Sequence, residues 1–153
     1  MSTLVPHLGK GYAELPKILE QFENDLKPAK EQLDNEGKLL ESCLSKNSAQ
    51  MHYYDERRIR LHSLVKFFRG EVDRVRGKCY RRYNENYSRA LQFNLMTKYI
   101  DSEPDVATAN NILIEIEEIY EEYISVVDAF KQRHYELTNM TKLRIANLEF
   151  SEI

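Results

Sequence analysis

Apolar residues recur along this chain in steps of three and four and rarely alternate with polar ones, which is the period of amphipathic helices rather than strands. In the first block Leu15, Leu19, Phe22, Leu26, Leu33, Leu40 and Leu44 keep that spacing and predict a helix over about 12–46. Pro16 is compatible with a first turn. Pro28 falls inside the pattern, where its ring and missing N–H predict a kink or break, and Gly37 weakens the block further. Asn47 or Ser48 suits an N-cap, which predicts a second helix over about 48–93. Its stripe reads Leu61, Val65, Phe68, Val72, Val75, Cys79 and Tyr83, the seam of a coiled coil. Gly70 and Gly77 share one face of it, where they either admit another backbone or soften the helix.

Ser102-Glu103-Pro104-Asp105 forms a variant capping box with proline in the first turn, so a third helix is expected over about 103–148. Ala109, Leu113, Ile116, Tyr120, Tyr123, Val127, Phe130, His134 and Leu137 mark its apolar stripe. From Val106 to about Asn147 such a helix extends about 60 Å, longer than a small subunit covers unaided. The expectation is therefore an all-α fold: one helical domain over 1–153, with elongated antiparallel helices in coiled-coil-like packing. The third stripe folds back on the other long helix, and Leu113, Ile116, Tyr120, Tyr123, Val127, Phe130 and Leu137 also contribute to a homo-oligomer interface.

Charge changes this picture more than composition does. The net charge is only −3, yet residues 57–98 carry twelve Lys and Arg against three Asp and Glu, and residues 99–128 carry nine Asp and Glu with no Lys or Arg. That asymmetry is more informative than the net value. The cations expected to contact a polyanion are Arg57, Arg58, Arg60, Lys66, Arg69, Arg74, Arg76, Lys78, Arg81 and Arg82. Arginine pairs with phosphate through two parallel N–H donors and stacks on bases. Tyr53, Tyr54, Phe67, Tyr80 and Tyr87 are interleaved with them, and cations beside aromatic platforms suit sequence-independent single-strand binding. The bland alternative is equally compatible with the residues: Arg74 or Arg81 could simply pair with Glu115 or Glu122 to orient helices.

No catalytic constellation stands out. His7, His52, His62 and His134 are scattered, and Cys43 and Cys79 lack the close partners of a metal site. Gly9-Lys10-Gly11 is too short for a phosphate-cradling loop. The cluster Glu115, Glu117, Glu118, Glu121 and Glu122 reads as a solvated face. No enzyme, cofactor or metal is expected. No segment approaches the roughly 20 apolar residues of a membrane span, and residues 1–11 lack a secretory pattern. Two reduced cysteines on packed faces fit a cytoplasmic protein.

Arg57-Arg58-Ile59-Arg60-Leu61, followed by Phe67-Phe68-Arg69-Gly70-Glu71, resembles the basic helix, aromatic pair and glycine of the UvsY family of phage recombination mediators. Asp101, Asp105-Val106, the run from Val127 to Leu137 and Leu143-Arg144 resemble the C-terminal half of that family in the same order. The resemblance covers about 45–149. It implies an all-helical subunit in a ring-like homo-oligomer that binds single-stranded DNA and helps a RecA-like recombinase displace single-strand-binding protein. Arg57, Arg58 and Arg60 would match the DNA-contacting motif, and Val127 to Leu143 the assembly region. The sequence departs from the family at His62 and Leu64, in the longer regular stretch from Glu71 to Tyr99, and in its acidic net charge. The competing function is a structural helical assembly factor, such as a phage scaffold or chaperone, that binds no nucleic acid. A membrane-surface role lacks the aromatic and aliphatic insertion edge it needs.

Overall fold

The computed structural model describes residues 12–86 and 93–146, which are helical apart from short connections, with no strand among the described residues. A 3-10 turn at Tyr12–Glu14 leads into α1 (Leu15–Leu26), α2 (Ala29–Leu33), α3 (Leu40–Asn86), α4 (Phe93–Ser102) and α5 (Pro104–Ile145). The described residues divide into two compact units: 12–13, 60–86 and 93–118 belong to the first, 14–59 and 119–146 to the second.

The boundaries differ from the expected blocks for local chemical reasons. Pro28 separates α1 from α2. The longer break falls at 34–39, before α3. There Glu36 N–H donates to Asp34 Oδ1 (3.0 Å), Lys38 N–H to the Asn35 carbonyl (3.2 Å), and Gly37 takes a positive φ of 69°. Lys38 Nζ closes the turn by donating to the carbonyls of Glu31 and Asp34. A left-handed glycine ends helical propagation more decisively than a proline that can open a new turn.

Helix α3 therefore starts at Leu40 and runs straight through Asn47 and Ser48, so neither caps it. Asn47 is buried instead, and its Nδ2 donates to the Phe130 carbonyl (3.3 Å). The expected box at Ser102 is replaced too. Ser102 Oγ donates back to the Tyr99 carbonyl (2.8 Å), ending α4, and Ala107 N–H bonds the Glu103 carbonyl (2.9 Å), opening α5. The expected helix ends beyond Asn86 and Ala146, with Tyr87, His7 and Gly9 to Gly11, lie outside the described residues.

In the second unit α1, α3 and α5 pack around Leu15, Leu19, Phe22, Tyr54, Tyr123, Val127 and Phe130. Tyr54 stacks on Phe130 with ring centroids 5.3 Å apart, and the Phe22 edge meets Tyr123 at 5.9 Å. Tyr123 is fully buried because its hydroxyl donates to the Phe22 carbonyl (2.6 Å), and the Tyr54 hydroxyl donates to Gln32 Oε1 (2.8 Å). Leu40, Cys43 and Leu137 close one end. In the first unit Leu61, Leu64, Val65 and Phe68 are buried on α3, and Cys79, Met96, Ile100 and Val106 form a further cluster joining α3, α4 and α5. Within each unit α3 and α5 run antiparallel. Both cysteines are free and buried.

The residues expected at a subunit interface are largely used inside the chain. Leu113, Ile116, Tyr123, Val127, Phe130 and Leu137 are buried in their own units, and Tyr120 is half-buried and hydrogen-bonds Arg58.

Candidate nucleic-acid interface

Residues 60–86 of α3 put Leu61, Leu64, Val65, Phe68 and Val72 inward and most cations on the remaining surface. The ten basic residues then meet different fates. Arg57 and Arg58 belong to the second unit. Arg57 Nε donates to Asp25 (2.9 Å) while its guanidinium lies 3.6 Å from the Tyr53 ring centre, and Arg58 bonds Asp55 (2.7 Å). Both are half-buried holding groups rather than open contacts.

In the first unit Arg69 takes Glu117 (2.9 Å), Arg74 takes Glu71 (2.9 Å), Arg76 takes Asp101 (2.5 Å) and Arg82 takes Glu103 (3.0 Å). Neither Arg74 nor Arg81 reaches Glu115 or Glu122. Arg74 finds its carboxylate one turn away on its own helix, a spacing that costs less side-chain ordering than a reach across helices. Arg60, Lys66, Lys78 and Arg81 are exposed, and the last three make no ion pair among the described residues. By number the described cations and carboxylates of this unit cancel, nine against nine, so any preference for a polyanion rests on placement and not on surplus.

That placement is ordered. Arg74, Lys78 and Arg82 stand four residues apart on α3 along a cleft of about 490 Å³ floored by Cys79, Ala109 and Ile112. Tyr12 packs its ring on Phe68 with centroids 5.2 Å apart and donates its hydroxyl to Glu71 Oε2 (2.6 Å). Hydrogen bonds from Arg74 and then Tyr12 hold the Glu71 carboxyl below its usual range. The Tyr83 hydroxyl, followed by Arg82, does the same for Glu103. Asp105 adds a carboxylate to the cleft wall.

Tyr12, Glu71 and Asp105 were not expected here. The Glu71–Arg74 spacing of three was readable as a helical pair, whereas Tyr12 precedes any periodic run and carried no signal. Of the interleaved aromatics, Tyr54 is core, Phe67 half-buried, and Tyr80 is 43% exposed beside Arg81.

No family model matches this sequence, and neither a curated protein nor a solved structure matches the chain. Among the described residues no cluster of His, Cys, Asp or Glu could hold a metal ion, and no helix is long and apolar enough to cross a membrane.

Proposed function

We propose that this chain is a non-catalytic, single-stranded DNA-binding recombination mediator that helps load a RecA-like recombinase and acts as a homo-oligomer. The observation that carries the DNA part is the open face of α3. Lys66, Lys78 and Arg81 are exposed without ion pairs among the described residues, and Tyr80 is available beside them for stacking. The paired arginines add to this surface. The side chains of Arg69, Arg74 and Arg82 keep 59%, 50% and 54% of their exposure despite their carboxylates. Exposed pairs of this kind are weak, so a phosphate can take over the guanidinium at little loss. The mediator role, the recombinase and the displaced single-strand-binding protein rest on the sequence resemblance. A ring of subunits would multiply a modest contact through effective concentration.

The test is anisotropy of a labelled oligo-dT across salt. Binding should fall linearly in log–log form, and changing Lys66, Lys78 and Arg81 together to Glu should reduce the slope by roughly 2, about 0.7 per lost phosphate contact. Replacing Arg57, Arg58 and Arg60 with Ala is a poorer probe, because Arg57 anchors Asp25. Absence of binding at low salt would remove the reading.

A structural helical assembly factor is the second reading, favoured by Arg57, Arg58, Arg69, Arg74, Arg76 and Arg82, each of which holds a carboxylate of its own chain. It expects no oligonucleotide binding at any salt and a solution mass that changes when salt screens the pairs.

A further inference from the structure

The second unit contains a charge that no carboxylate answers. Arg133 is 3% exposed, and charged side chains are almost never so buried unless paired. Its Nε donates to Asn35 Oδ1 (2.8 Å), and its Nη1 to Asn47 Oδ1 (3.2 Å) and Gln50 Oε1 (3.1 Å), all neutral amides. Nη2 makes no hydrogen bond among the described residues. Yet no side-chain nitrogen or oxygen sealed from solvent among them lacks a partner, so Nη2 meets open volume. Arg133 lines an open cleft of about 270 Å³ together with Gln32, Lys38, Lys46 and Gln50.

Hydrogen bonds elsewhere fix what this lining offers. Gln50 commits its amide oxygen to Arg133 and Gln32 commits its own to the Tyr54 hydroxyl, so each retains an NH₂ donor. Lys38 uses two of its three N–H groups on the Glu31 and Asp34 carbonyls and keeps one. Lys46 is exposed and makes no ion pair among the described residues. Glu31, itself exposed, is the single carboxylate of the wall. Three cations and two amide donors against one carboxylate complement an oxyanion and repel a cation.

We propose that this cleft is a binding site for a small oxyanion of the phosphate class, with Arg133 Nη2 and Lys46 as its charged donors. Its size is near the lower end for ligand pockets, which fits phosphate carrying a small substituent. It uses none of the ten cations of the proposed DNA surface, so each stands or falls alone.

The experiment is thermal unfolding of the full chain in increasing sodium phosphate, with sodium chloride holding ionic strength constant, alongside phosphorus NMR line broadening. A saturable rise in Tm of about 3 to 6 °C at ten times the Kd is expected. The rise should vanish in Lys46→Glu, a surface change that leaves the buried network in place, and persist in Arg81→Glu. A Tm that follows chloride equally well overturns the proposal. So does a phosphate response that survives Lys46→Glu.

Discussion

Asn47 illustrates how one side chain reverses its expected role. An amide within a helical run suggests a cap, because asparagine competes with the backbone for hydrogen bonds. Here the competition is won from the side: Asn47 gives its NH₂ to the Phe130 carbonyl and its oxygen to Arg133, tying α3 to α5. Asn47→Leu should therefore destabilise the protein by roughly 2–4 kcal/mol in urea titration, since a buried guanidinium loses an acceptor; an unchanged midpoint would contradict the network. Tyrosine burial makes a second prediction. Burial, foremost, pushes the Tyr54 hydroxyl up to about 12 and raises Tyr123 as well. Between pH 10 and 12 the folded chain keeps protons that the unfolded chain releases, so stability present below pH 10 declines as pH rises. Titration at 295 nm should find both phenols still largely protonated at pH 11 in the folded chain.

At the scale of elements, the period of the apolar stripes located the long helices but not their ends. Leu61 to Tyr83 and Ala109 to Leu137 were legible because most of their apolar positions are buried or half-buried in their own units, although His134 is exposed and Arg133 is buried in its place. Their ends depend on single side chains: Gly37 and Lys38 stop the chain before α3, and Ser102 closes α4 rather than opening α5. Nothing in the period distinguishes a capping serine from one that bonds backwards. The glycines separate cleanly by backbone. Gly37→Ala should cost about 1 kcal/mol, because an L side chain resists its φ of 69°. Gly70→Ala and Gly77→Ala should each stabilise by up to about 1 kcal/mol, since a methyl there meets open space on a helix. Thermal denaturation of the three variants checks both signs.

For the molecule as a whole, the opposed charge blocks were visible in the sequence, but their mutual accounting was not. Which carboxylate serves which arginine depends on helix rotation, and Arg69 with Glu117 could not be separated beforehand from Arg74 with Glu115. The same applies to the apolar stripe of α5, whose length suggested a partner and whose Tyr123, Val127, Phe130 and Leu137 are buried within the second unit. Phe130→Ala should accordingly cost about 3–5 kcal/mol of folding stability, seen in urea, instead of merely lowering solution mass. The amide cage around Arg133 carries a final consequence. Carboxylates lose their grip on arginine as acid neutralises them, but Asn35, Asn47 and Gln50 have no proton to gain in that range. Acidification therefore loosens Arg74 from Glu71 and Arg82 from Glu103, whose carboxyls these contacts hold below their usual range, while leaving this joint fastened, a clasp whose strength is indifferent to the proton.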